Sequence, residues 1–176
     1  MTENLKLSSI WILFYKRRGR FLEDIIRGWT NSPYAHSEFM RTDGLMHSND
    51  RFSFVSRLSP LDINYQDWDS VEILLPDEII ARIQKRQLKK VGTKYDWTGI
   101  VFSQIASFGI HDKSKWFCSK SNADDLLYAY KLMNRVSKYK PFSKTLCAIL
   151  EFTPQEYSPA KLYNATIKIM HTQKQL

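Results

Sequence analysis

Apolar and polar residues repeat with two different periods along this chain, and the change falls near Asp77. Before it, short runs read as strands. "SSIWILFYKRR" is a β-rich apolar run ended by cations, the pattern of a buried strand. In "GRFLEDIIRGW" the apolar Phe21, Leu22, Ile25, Ile26 and Trp29 recur every three or four positions, which predicts a short helix broken by "TNSP". "YAHSEFMR" alternates, with Tyr34, His36, Glu38 and Met40 on one face and Ala35, Ser37, Phe39 and Arg41 on the other. "TDG" signals a turn, and "LMHSND" returns as the second strand of a hairpin. "RFSFVSRL" and "DSVEILLP" are further strands, separated by a loop holding Pro60.

Beyond Asp77 the period lengthens. "PDEIIARIQKRQLKKVG" opens with acids, closes with bases and stops at Gly92, which fits the helix dipole and a glycine C-cap. "KYDWTGIVFSQIASFG" predicts a second helical segment, capped by Thr93 or Asp96. A further helix is expected from about Cys118 to Asn134, while "SPAKLYNATIKIM" reads equally as strand or short helix. Strands first and helices later is an α+β arrangement.

Composition narrows the class. At 176 residues the chain reads as a single domain, 1–176, with 43% hydrophobic content that excludes a disordered protein. Two cysteines are too few for a disulfide framework, and no zinc-ligand spacing exists, so neither a metal nor another cofactor is expected. The early apolar run Ile10 to Tyr15 is too short for a signal-peptide core, and no run reaches the ~18 residues of a membrane span. These features predict a cytoplasmic protein, or one released by lysis or carried with a particle. The surplus of 26 Lys+Arg over 18 Asp+Glu, a net charge of +8, favours anionic partners.

The candidate chemistry lies in "KWFCSKSNADDLLYAY". A thiol ionises at ~8.5, and the thiolate is the nucleophile. Cys118 stands where polar Ser119, Ser121 and Asn122 open the predicted helix, so the unpaired N–H groups and dipole of the first turn would lower its pKa and could hold an oxyanion. The alternative is a small core residue. Cys147, in the apolar "KTLCAILEF", reads as core. A thiol nucleophile needs a base and a group that orients the base. Of four histidines, His171 is near the C-terminal end, His111 is in the loop-like "GIHDK" and His47 is in or near the return strand. His36 lies mid-strand with Glu38 on the same face, although i, i+2 neighbours are often too far apart to bond directly. The alternative there is the solvated face of an edge strand.

"SPYAHSEF", "KYDWTGI" and "WFCSK", in that order, resemble the circularly permuted NlpC/P60 papain-like proteins of the YiiX-like group. Histidine precedes cysteine, the reverse of the ordinary papain-like order. The resemblance runs from Trp11 to about Met133. It implies a papain-like fold, an antiparallel sheet or partial barrel packed against helices with the nucleophile helix late in the chain. It also implies a cysteine hydrolase or acyltransferase acting on an amide, peptide or ester bond. Cys118 would be the nucleophile, His36 the base and Glu38 the third member. Tyr95, Trp116, Ser119 and Lys120 would line the substrate pocket or oxyanion site. Where the family often has glutamate two residues after the cysteine, this chain has Lys120, which would make the pocket more basic without removing the dyad.

Charge supports a rival. The runs "KRRGR" (Lys16 to Arg20) and "RIQKRQLKK" (Arg82 to Lys90) would suit a nucleic-acid-binding module, though the second is also the charged end of an amphipathic helix. A catalytically inactive papain-like scaffold that only binds is the third reading.

Overall fold

A computed structural model describes residues 5–19, 21–50, 55–60, 63–93 and 118–175. Five strands form one antiparallel sheet: β1 Leu7–Tyr15, β2 His36–Met40, β3 Leu45–Asp50, β4 Val55–Pro60 and β5 Trp68–Pro76, in the order β4-β3-β2-β1-β5. The helices are α1 Phe21–Thr30, α2 Asp77–Lys90, α3 Cys118–Asn134, α4 Lys140–Thr145 and α5 Pro159–Gln173. The architecture is α+β, an antiparallel sheet packed against helices.

β1 lies between β2 and β5, which is why its sequence is apolar on both faces. Ile10, Ile12 and Phe14 join Val71, Ile73 and Leu75 of β5 on one face, and Leu13 is buried on the other. The first face meets Ile79, Ile80 and Ile83 of α2, Leu126, Ala129 and Met133 of α3, and Leu162, Ala165 and Ile169 of α5. Each such aliphatic side chain contributes ~1.5–3 kcal/mol when fully buried, so this layer dominates the packing. Among the described residues, no helix is long and apolar enough to cross a membrane.

Several local expectations need correction. The alternation of "YAHSEFMR" starts only at His36. Tyr34 precedes the strand and turns into the core, its ring 5.5 Å from Phe14 and 4.4 Å from Tyr163, while its hydroxyl donates to Asp69 at 2.8 Å. Pro60 is not in a loop but closes β4 opposite Leu45, tolerated because β4 is an edge strand. Cys147 is exposed, not core. Its segment, Leu146–Glu151, is a 3-10 helix, and the three-residue period turns Leu146 and Ile149 inward and leaves Cys147 outside.

"SPAKLYNATIKIM" is helical, and its signals were local. Ser158 is the N-cap, accepting from the Lys161 N–H, and Pro159 takes the first turn. The C-terminal end near His171 is tied down, because the Gln173 side chain donates to the Leu74 carbonyl at 2.8 Å and accepts from the Leu74 N–H at 2.9 Å. The glycine stop of α2 is present as part of a type II turn. Val91 has φ −55 and ψ 132, Gly92 has φ +82, and the Thr93 N–H closes on the Lys90 carbonyl at 3.0 Å. That turn docks on β4, where Gly92 N–H donates to the Ser56 carbonyl and Ser56 N–H to the Thr93 carbonyl. The predicted "KYDWTGIVFSQIASFG" segment lies, except for Thr93 before it, outside the described residues.

Candidate active site

β2 is an interior strand, between β1 and β3, so the His36–Glu38 face is not the solvated side of an edge. The sheet register sets His36 beside Tyr15 and Tyr15 beside Trp68, and the Trp68 ring lies 6.2 Å from the imidazole. Residues two apart on a strand are separated by ~6.6 Å of backbone. The side chains nevertheless lean together, bringing His36 Nε2 to 3.1 Å from Glu38 Oε1. The Ser48 hydroxyl, across the β2–β3 hairpin, donates to the same carboxylate oxygen at 2.8 Å. Glu38 is buried, and its Oε2 has no hydrogen-bond partner among the described residues.

Cys118 is the first residue of α3 and is buried. Its sulfur is hydrogen-bonded to His36 and to the backbone N–H groups of Ser37 and Ser119. With Nε2 taken by Glu38, Nδ1 is the ring nitrogen left for the thiol. One turn further along α3, Asn122 Nδ2 donates to Ser37 Oγ at 3.0 Å, which pins the helix to the strand beside the dyad.

These contacts set the charges. Burial pushes the His36 pKa down, but the Cys118 thiolate and then Glu38 outweigh it, and the imidazole is pushed up to about 10. Burial pushes the Cys118 thiol up, yet the His36 charge and hydrogen bond, with the two backbone N–H groups, hold it below the ordinary thiol value. Glu38 follows the same logic. Desolvation raises it, and His36 and Ser48 bring it below the ordinary carboxylate range. The shifts of the thiol and the imidazole both run in the direction of a thiolate–imidazolium pair, with a carboxylate behind the ring. His47 contrasts with His36. Burial and the nearby Lys90 and Arg41 charges hold its pKa down at about 3, and its Nε2 is engaged 2.9 Å from Ser56 Oγ, so it is a neutral structural residue.

A second polar cluster fixes where α3 begins. Lys90, at the end of α2, donates to Asp125 Oδ1 at 2.6 Å and approaches Ser121 Oγ and Asp124, while Gln87 donates to Asp125 Oδ2 at 2.9 Å. Arg86 reaches Asp124 at 2.6 Å. Asp124 and Asp125, one to two turns after the nucleophile, are therefore anchors to α2. Asp125 is fully buried, and removing one partner of a buried pair costs ~3–5 kcal/mol. Asp125→Ala is expected to lower the unfolding free energy by that amount, seen as a lower urea midpoint at unchanged m. A loss below ~1 kcal/mol would mean that packing alone holds α3 in place.

Of the residues expected to line a pocket, Ser119 and Lys120 are buried, and the Ser119 hydroxyl donates to the Tyr157 carbonyl. It is the Ser119 backbone N–H that meets the sulfur. Tyr95 and Trp116 lie outside the described residues. Sequence reasoning missed Ser48, and it named Asn122 at the helix start without its contact to Ser37. Ser48 could have been found, because a hairpin turning at "TDG" places it opposite Glu38. The Asn122 contact could not, since Ser37 is met only across the tertiary fold. No family model matches the chain, and neither a curated protein nor a solved structure matches it.

Proposed function

We propose that the chain is a thiol hydrolase or acyltransferase that opens an amide, peptide or ester bond through Cys118, His36 and Glu38, on a papain-like scaffold in the permuted NlpC/P60 order. The observation that carries this reading is the His36 imidazole, hydrogen-bonded on one side to the Cys118 sulfur and on the other to Glu38. A buried, ion-paired thiol at the start of a helix is built for nucleophilic attack.

The thiolate adds to the carbonyl carbon, forming a C–S bond and an oxyanion. N–H groups in the first turn of α3 can donate to that charge. As the C–N or C–O bond breaks, the His36 imidazolium gives its proton to the departing nitrogen or oxygen, leaving a thioester on Cys118. Neutral His36 then takes a proton from water, the resulting hydroxide adds to the thioester, and the C–S bond breaks to restore the thiolate–imidazolium pair. An amine or alcohol in place of water makes the same cycle an acyl transfer.

An activity-based amide or ester electrophile with mass spectrometry tests the reading, with label expected on Cys118. Equal labelling of Cys118→Ala would remove it. Glu38→Gln is expected to lower kcat/KM by about a hundredfold, less than loss of the nucleophile, because the carboxamide oxygen can still accept from Nε2–H while the charge that stabilises the imidazolium is gone. Unchanged kinetics would take Glu38 out of the triad.

The two basic runs support a nucleic-acid module less well. Lys16 pairs with Asp69 at 2.5 Å and Arg17 with Asp67 at 3.5 Å, while Arg86 and Lys90 are engaged with Asp124 and Asp125. Much of that charge is met within the fold.

A further inference from the structure

Where the rest of the surplus charge sits points to a second binding surface. α2 and α3 run antiparallel, as the Arg86–Asp124 pair near one end and the bond from the Tyr139 hydroxyl to Glu78 (2.6 Å) near the other require. On α2, Arg82, Lys85 and Lys89 follow Glu78 at intervals of three or four residues, and all three are exposed. On α3, Lys131 continues the row of Asp124 and Tyr128 that faces α2, and Arg135 and Lys138 extend it just beyond the helix. These are exposed too. The carboxylates on this seam are already engaged: Asp124 by Arg86, and Glu78 by Tyr139 and Lys138. Arg82 acts on Glu78 through its charge without a close contact, and Lys85, Lys89, Lys131 and Arg135 make no ion pair among the described residues.

We infer that this α2–α3 face binds the phosphate backbone of a nucleic-acid duplex without regard to sequence. A 14-residue helix is ~21 Å long, enough to span several phosphates of a duplex that carries one charge per ~1.7 Å of axis. The face is predominantly cationic. Tyr128 is covered by the Arg86 guanidinium, 4.7 Å above its ring, so it gives no platform for stacking unpaired bases. The exposed apolar side chains near this face, Leu88, Val91 and Val136, are fewer than its cations and do not make the broad apolar face that a membrane-inserting helix needs. The proposed contacts include none of Cys118, His36 and Glu38, so binding there does not depend on catalysis.

Fluorescence anisotropy with a short mixed-sequence DNA duplex, across about 50–200 mM salt, tests this. The wild type is expected to bind with a steep salt dependence. The triple variant Arg82→Gln, Lys131→Gln, Arg135→Gln should bind at least about tenfold more weakly, with a log–log salt slope shallower by about 2.7 at ~0.9 per contact. A charge-matched control, Arg18→Gln, Lys161→Gln, Lys174→Gln, should bind as the wild type does, and so should Cys118→Ala. The proposal is overturned if the wild type does not bind at the lowest salt, or if the control loses as much as the triple variant. It is also overturned if Cys118→Ala loses binding, or if the protein binds phosphatidylserine vesicles and leaves the duplex free.

Discussion

Cys118→Ala is expected to abolish turnover, by at least about a thousandfold, and to leave the far-ultraviolet circular dichroism and the urea midpoint close to those of the wild type. The side chain is small and buried at the first residue of α3, and the helix is held by contacts that do not involve the sulfur: Asn122 to Ser37, and Asp125 to Lys90 and Gln87. Only the nucleophile is lost. His36→Ala should come close to the same loss, because residues acting as a unit are not additive. Turnover that survives in Cys118→Ala would end the proposal, whatever the geometry of the dyad.

The second large effect is on the titration of the thiol. It is best measured in a Cys147→Ser background, since Cys147 is exposed and would otherwise react with the same reagent. The rate of alkylation of Cys118 should rise through an inflection below the ordinary thiol value of ~8.5. With His36→Ala the main cause of the depression disappears, while the burial that raises the thiol remains. The inflection should then move upward, and the rate at neutral pH should fall by about tenfold or more. The pH profile of turnover carries the opposite sign at its two limbs. Activity is lost in acid as the thiolate takes a proton. It is lost again in alkali, as pH rises through about 10, because His36 no longer carries the proton needed by the leaving group. An inflection that stays in place when His36 is removed would show that the helix start, not the imidazole, sets the thiol.

Much of this was legible in sequence because it is local. The alternation of "YAHSEFMR" placed His36 and Glu38 on one face, and the polar opening of "CSKSNADD" placed Cys118 at the first residue of α3. What escaped needed either a finer period or a partner far along the chain. Cys147 sits in a run apolar enough to suggest core, and only the three-residue period of its 3-10 helix turns it outward. The direct His36–Glu38 contact depends on side-chain lean, which backbone spacing argues against. The basic run Arg82 to Lys90 read as the charged end of an amphipathic helix. The structure divides it, because Arg86 and Lys90 face the acids of α3 while Lys85 and Lys89 face solvent.

The Gln173 carboxamide has a consequence for how copies of this protein meet. β5 is one border of the sheet, and the side chain at the end of α5 takes both the N–H and the carbonyl of Leu74, as a neighbouring strand would. At the other border, the Gly92–Thr93 turn does the same to Ser56 of β4. Each rim therefore carries a short stretch of false strand. A second sheet approaching edge-on finds those backbone groups spent and would have to break existing bonds before it could extend the ladder. The fold thus carries its own guard against strand-by-strand polymerisation, and at Leu74 on the β5 rim that guard is the Gln173 amide.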